Sequence, residues 1–176
     1  GLSLTDHDTV EGVEEVKRLG EQAGLVVVSG VEISTTLRQY TLHILGYGID
    51  HADQALHRWL QPLQEGRKKR NDIILHKLQE LGVEITAEEV QEISCCGQTG
   101  RPHIARLLLA KRAVGTMLQA FEQYLGRGGL AYASRPVPTA EDAIAVLRAA
   151  GGLCILAHPQ QLDPELKQLP ALLEVL

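Results

Sequence analysis

Leu25-Val26-Val27-Val28-Ser29, running on into Gly30-Val31-Glu32-Ile33-Ser34, is the stretch whose reading decides the fold. Its β-branched residues favour a buried strand. Upstream, Thr9–Ala23 has the spacing of a helix that Gly24 ends. Asp8 with Glu11 three residues on resembles a capping box for that helix. Leu2–Leu4, before it, is a short apolar strand. Downstream, Tyr40–Tyr47 reads as a further strand. Strand, helix, strand and strand in this order make the class α/β.

Asp50 onward changes character. Asp53 is placed to cap a helix that runs to Leu81 and bends at Pro62. Thr86-Ala87-Glu88-Glu89 is a capping box. Gly100-Arg101-Pro102-His103 opens another helix, with Pro102 in its first turn. Val114–Tyr124 forms one more. From Ala131 the α/β pattern returns. Thr139 caps a helix to Ala150, Leu153–Ala157 is a strand, and Asp163-Pro164 starts a short helix. The reading is a β/α layer or barrel made of residues 1–48 and 130–176, interrupted by a helical insertion at 49–129.

The bulk numbers bound the function. The chain has 176 residues, 44% hydrophobic and 22% charged, which suits one globular domain with an insertion. Aromatics are only 3%, so platforms for stacking single-stranded bases are scarce. A net charge of −5 argues against binding long duplex nucleic acid through its backbone. A small ligand, or only the end of a long one, fits better. The three cysteines, adjacent Cys95 and Cys96 with the remote Cys154, have no disulfide or zinc-ligand spacing. Reduced thiols and a cytoplasmic setting are expected. No apolar run reaches the roughly 20 residues that span a membrane. Gly1-Leu2-Ser3-Leu4 reads as the middle of a strand and Leu172–Leu176 as a strand beginning, so both ends read as cut.

Four groups of chemically capable residues fall at or near expected strand C-terminal ends: Asp6-His7-Asp8, Glu32, His43 and His158. In parallel α/β folds that is where sites assemble. Imidazole and carboxylate together suit Zn, Mn or Fe. Such ions polarise a phosphoryl oxygen and activate water, and a carboxylate such as Glu32 can bridge two of them. Each residue taken alone has a structural reading. Asp8 caps a helix, Glu32 makes an ion pair, His43 is a hydrogen-bonded core histidine, and His158-Pro159 is a strand exit. Four of them at strand ends favour the functional reading.

Thr5-Asp6-His7-Asp8-Thr9, Gly30-Val31-Glu32-Ile33-Ser34, His43-Ile44-Leu45-Gly46-Tyr47 and Ala157-His158-Pro159 resemble, in order, motifs of the PHP (polymerase and histidinol phosphatase) family. The resemblance covers nearly the whole chain. It is nearest to the branch of nucleoside 3′,5′-bisphosphate phosphatases and 5′-to-3′ exoribonucleases acting on short RNA. It implies a distorted (β/α)7 barrel, here incomplete, with up to three divalent ions, often Mn, Zn or Fe. By motif, His7, Glu32, His43 and His158 are the implied metal ligands, with Glu32 bridging. Asp6, His7, Glu32 and His158 form the implied catalytic set, Asp6 and Asp8 acting in support. The family's opening His-x-His and closing Asp-x-His motifs do not occur between Gly1 and Leu176. A histidinol-phosphatase-like enzyme and a non-catalytic accessory domain therefore stay open as alternatives.

Arg101 and His103, at an expected helix start, are the candidates for substrate phosphate, with Arg135 behind them. Arg101 alone also reads as a surface ion pair. Arg67-Lys68-Lys69-Arg70 reads as a solvated helix face, or as a guide for an RNA 5′ end. His51, His57 and His76 read as surface residues, and Cys95-Cys96 as incidental. The expected partner is a small nucleotide or short RNA end; oligomeric state is left open.

Overall fold

In the computed structural model, residues 1–38, 40–94, 98–163 and 165–174 are described. Cys95, Cys96, Pro164 and the last two positions lie outside them, with the expectations that fell on them. The chain divides into two compact units, Gly1–Leu63 with Val137–Leu176, and Gln64–Pro136.

The first unit is built on a four-stranded sheet. Its strands are β1 (Leu2–Leu4), β2 (Val27–Leu37), β3 (Tyr40–Tyr47) and β4 (Leu153–Leu156), adjacent in that order. β1 runs parallel to β2, and β3 is antiparallel to both β2 and β4. The sheet is therefore mixed, not all parallel, and β3 is the reversed strand. β2 and β3 pair along eight residues from Gly30↔Tyr47 to Leu37↔Tyr40.

The period of two sorts these strands into two faces. Val31, Ile33, Leu42 and Ile44 point into an apolar cluster with Leu56 and Leu60. Ala140, Ala143, Ile144 and Leu147 of helix α6 (Ala140–Ala149) close the same cluster. Glu32, Ser34 and His43 lie on the other face, because Ser34 sits opposite His43 and Glu32 is two residues away on the same strand. The start of the strand run is less buried than its composition suggests: Leu25, Val26 and Val28 are exposed.

Helix α1 (Val13–Gln22) starts later than Thr9. Gly12 precedes it at φ 86°, in the left-handed region, and Asp8 is not its cap. Helix α2 (Gln54–Glu80) includes Pro62. Its first half packs Leu56 and Leu60 into the first unit's core, so the division falls at Leu63, past the residue 49 expected from composition. Thr139 caps α6, its Oγ1 accepting from Asp142 N–H at 3.1 Å. After the short helix α7 (Pro159–Leu162), Leu169–Leu173 forms helix α8, which takes in the first two positions of the strand expected at 172–176. Pro170 in its first turn suits a helix start.

The second unit packs a separate apolar core from Ile74, Leu78, Ile104, Leu108 and Leu125. It holds α3 (Ala87–Glu92), α4 (Arg101–Ala110) and α5 (Met117–Ala120), the last running into a π-helical turn at Phe121–Leu125. Thr86 and Glu89 cap α3 reciprocally, at 3.2 and 2.8 Å, as their spacing predicts.

Gly30 fixes how closely β1 approaches β2. A Cβ there would lie 2.5 Å from Ser3 Oγ and 2.9 Å from the Leu4 carbonyl oxygen. Gly66 in α2 has open space around the same position. Urea unfolding is expected to show Gly30→Ala destabilised by about 1–3 kcal/mol. Gly66→Ala is expected to be stabilised by roughly 0.5–1 kcal/mol, since alanine suits a helix interior.

A candidate metal centre on the polar face of the sheet

β1 does not stop being paired at Leu4. Glu32 N–H donates to the Asp6 carbonyl at 3.1 Å, and Asp8 N–H donates to the Glu32 carbonyl at 2.8 Å. His7 thus lies in a parallel bridge beside Glu32. On the far side, Ala157 N–H donates to the His43 carbonyl at 2.9 Å, extending the β3–β4 pairing by one step. That step places His158 next to His43. The backbone ladder alone brings His7, Glu32, His43 and His158 together.

His43 corrects one expectation. It lies in the N-terminal half of β3, not at its C-terminal end. Because β3 is reversed, that half lies beside the later part of β2 and the end of β4. Glu32 likewise sits mid-strand, since β2 continues to Leu37.

The side chains converge. His43 Nδ1 lies 2.7 Å from Glu32 Oε1 and 2.9 Å from His158 Nε2. His158 Nε2 is 3.3 Å from the same Oε1. The other carboxylate oxygen, Oε2, faces His7 Nε2 at 3.9 Å. Ring centroids of His7–His43 and His43–His158 are each 4.8 Å apart, both edge-on. Glu32 is the least exposed of the four, its side chain 17% accessible. Burial pushes its carboxyl upward. The hydrogen bond from His43, the charges of His7 and His43 and the bond from His158 outweigh this and hold it below the ordinary glutamate range.

These donors fit a cation. Ligand atoms bound at about 2.1 Å to one ion lie roughly 3.0–3.4 Å from one another in tetrahedral or octahedral geometry. The three separations around His43 Nδ1, His158 Nε2 and Glu32 Oε1 fall near that span. A neutral imidazole carries one N–H, so two ring nitrogens aimed at each other and at a carboxylate leave lone pairs in excess of protons. The ligand atoms of His7, Glu32 and His43 all lie within 4.8 Å of one another. Among the described residues, these three form the one grouping of His, Cys, Asp or Glu compact enough for a metal.

Two strained residues frame the cluster. Asp8 has φ 58° and His158 has φ 32°, ψ 56°. Non-glycine residues in this region cost of order 1–3 kcal/mol each and persist where the surroundings hold them. Asp8 is fully buried, and its Oδ1 accepts from Ser34 N–H at 3.0 Å. It ties the turn after His7 to β2, a role the helix-cap reading missed. Asp6 contributes its backbone carbonyl to the ladder.

Arg101 and His103 belong to the second unit. His103 Nδ1 accepts from Gly100 N–H at 3.1 Å, and Arg101 Nη1 donates to the Leu125 carbonyl at 3.2 Å. Burial, then the charge of Arg106, lower the His103 pKa. The basic run on α2 is split. Lys68 and Lys69 are exposed, but Arg67 and Arg70 are 8% and 7% accessible. The solvated-face reading therefore fails for the two arginines. The spacing 67, 70, 71, 74, 78 is a helical stripe, and the apolar Ile74 and Leu78 on it were the available signal. Of the three histidines expected at the surface, His57 and His76 are exposed. His51 is not: its ring is 18% accessible, and its Nε2 lies 2.8 Å from Glu14 Oε2.

Two outcomes follow from this geometry. Asp8→Ala loses the Ser34 bond and leaves alanine at positive φ, and is expected to cost about 2–4 kcal/mol in urea unfolding. Asp8→Asn, which keeps an acceptor, is expected to cost less. Glu32 ionises more easily folded than unfolded, where its value is about 4.3. Its contribution is therefore present above that pH and lost as pH falls through the lower folded value. In metal-free protein, Glu32→Gln should lose less stability than the parent between pH 6 and pH 3.

No family model matches the chain. The 5′-3′ exoribonuclease Rnm of Salmonella typhimurium is 34% identical over 175 residues, covering 97% of this chain and 59% of that protein. The 3′,5′-nucleoside bisphosphate phosphatase of Chromobacterium violaceum is 32% identical over 170 residues, covering 92% and 57%. A solved structure from Bifidobacterium adolescentis, described as a candidate metal-dependent phosphoesterase, superposes with a TM-score of 0.85 at 27% identity, covering 99% and 63%. The chain thus spans about six-tenths of the length of the relatives it matches. With its motifs in order and these relatives beside it, the chain is similar over nearly its whole length to 5′-3′ exoribonucleases and a 3′,5′-nucleoside bisphosphate phosphatase, in keeping with its resemblance to the PHP family.

Proposed function

We propose that this chain carries the metal-binding part of a phosphoesterase that hydrolyses a terminal phosphate of nucleoside 3′,5′-bisphosphates or acts at the 5′ end of short RNA. One observation carries the reading: Glu32 turns one oxygen to His43 and His158 and the other to His7. That is the posture of a carboxylate shared between two cations. His7, Glu32, His43 and His158 would hold the divalent ions, with Mn, Zn and Fe all compatible with imidazole and carboxylate donors. When bound, the ions supply Lewis acidity toward a phosphoryl oxygen and activate water.

The chain's own residues set the conditions for that chemistry. The β1–β2 and β3–β4 ladders fix the ligand backbones, so little reorganisation is needed on loading. Asp8, through Ser34, holds the turn that aims His7. Asp6 anchors the same turn through its carbonyl. Arg101 and His103 are assigned to a substrate phosphate. A planar guanidinium grips phosphate oxygens in pairs. We read the sheet as part of a distorted (β/α)7 barrel with a helical insertion at 49–129, a reading that the family likeness supports. Net charge −5 and 3% aromatics support recognition of an end or a small nucleotide over a long tract.

The protein carrying this sequence is expected to release inorganic phosphate from adenosine 3′,5′-bisphosphate with Mn²⁺, and to stop on chelation. Arg101→Ala should lower kcat/KM by about 10–100-fold, the worth of a hydrogen-bonded charge on phosphate. Release from histidinol phosphate in preference would move the protein to the other catalytic branch. No release from either substrate at any metal loading would reduce it to an accessory domain.

A further inference from the structure

The net charge of −5 hides a division within the chain. Gln64–Pro136 holds 11 of the 17 lysines and arginines but 8 of the 22 acidic residues. The second unit therefore carries +3 and the first −8. Charge separated in this way between parts of one chain points to a polyanionic partner for the basic part.

Much of that basic charge has a partner close by. Lys111 is paired with Glu89 at 2.6 Å, and Lys77 donates to the Tyr132 carbonyl at 2.6 Å. Lys68 and Lys69 are exposed on α2, but Asp72 follows Lys68 by four residues and Glu65 precedes Lys69 by four, so each faces a carboxylate one helical turn away. Two arginines differ. Arg106 is exposed on α4, a helix with no acidic residue, and Arg127 is exposed in the Gly126–Gly129 turn, where it is the one side chain. Among the described residues, no carboxylate pairs with either guanidinium.

Both arginines adjoin groups assigned above to substrate phosphate. Arg106 lies three residues after His103, and its charge acts on that ring. Arg127 lies two residues after Leu125, whose carbonyl accepts from Arg101 Nη1 at 3.2 Å. The turn that carries Arg127 is tied down. Gly126 N–H donates to the Phe121 carbonyl at 2.7 Å, and Gly129 N–H donates to the Gly126 carbonyl at 2.9 Å. The second bond closes a four-residue turn whose third position, Gly128, takes φ 89°, a conformation that calls for glycine.

We infer that Arg106 and Arg127 are contact points for the sugar-phosphate backbone of an RNA strand, on nucleotides beyond the one whose phosphate Arg101 and His103 take. A guanidinium with no carboxylate partner gives up no ion pair on meeting phosphate, and its planar fork suits the phosphate oxygens. Contact to the backbone carries no sequence preference. With aromatics at 3%, the attraction is electrostatic and not a matter of stacked bases. The inference rests on the RNA-end reading of the proposed function and goes beyond it: it favours a short strand over a lone bisphosphate and names the residues that select it.

The test uses metal-free protein, so that no strand is cut during the measurement. Binding of a 5′-phosphorylated pentaribonucleotide and of adenosine 3′,5′-bisphosphate is measured by titration calorimetry between about 50 and 200 mM KCl. The pentanucleotide is expected to bind at least about tenfold tighter at the lower salt, and to weaken more steeply as salt rises. Arg106→Gln and Arg127→Gln should each weaken the pentanucleotide about 5–10-fold at the lower salt and flatten its log–log salt slope by about 0.7, the effect of one phosphate contact on a single strand. The loss is expected on the longer ligand alone. Arg58→Gln, at an exposed arginine of the acidic unit, controls for a general change of charge and should weaken neither ligand. Equal affinity for the two ligands, absence of binding by both, variants that bind the pentanucleotide as the parent does, or an equal loss in Arg58→Gln would overturn the inference. Each of those results leaves metal-dependent phosphate release standing, and absence of that release leaves length-dependent binding standing.

Discussion

The arrangement depends on one strand being paired on both sides. β2 accepts β1 and its extension on one edge and β3 on the other, and Glu32 stands where the two pairings overlap. Its backbone N–H and carbonyl are both committed to the Asp6–Asp8 segment. Its carboxylate is therefore delivered to a point fixed by the sheet, with imidazoles arriving from β3, from the exit of β4 and from the exit of β1. The apolar face of the same strand is fixed just as firmly, by Val31 and Ile33 in the core. A one-residue slip of β2 would turn Glu32 into the apolar cluster and Ile33 onto the polar face. The core thus enforces the site's register.

The cost of the cluster is distributed around it. A half-buried carboxylate among three imidazoles needs charge compensation, and the fold supplies part of it through the His43 and His158 contacts. Asp8 and His158 sit at positive φ, and each is held by neighbours: Asp8 by Ser34, and His158 by the ladder bond of Ala157 before it and Pro159 after it. A strained backbone that persists beside converging donors is common where geometry serves function. Bound divalent cations would relieve the opposing lone pairs that the side chains leave.

The elements with local signals were legible. Thr86 and Thr139 announce their helices because a capping hydroxyl and its N–H partner lie three residues apart. β3 was placed to the residue from its β-rich composition. Its direction was not legible, because an alternation of period two reads the same both ways. His43 lies beside Glu32 and His158, but not at the strand end on which its choice rested, because β3 is reversed. Asp8 misled for a related reason. An aspartate before a helix looks like a cap, and only the tertiary partner Ser34, 26 residues away, shows its other use. Arg67 and Arg70 were hidden inside a run of four basic residues, where local charge masks the helical stripe that buries two of them. The resemblance to family motifs singled out His7, Glu32, His43 and His158 as a set of candidate ligands, which no single residue justified.

The central claim is that His7, Glu32, His43 and His158 form a metal centre on this sheet. Metal content of the purified, dialysed protein, read by mass spectrometry beside His43→Ala and His158→Ala, tests it most directly. The account predicts stoichiometric bound divalent metal in the parent, with a loss in both variants while circular dichroism stays unchanged. A folded parent that retains no metal, or variants that retain as much as the parent, would contradict it.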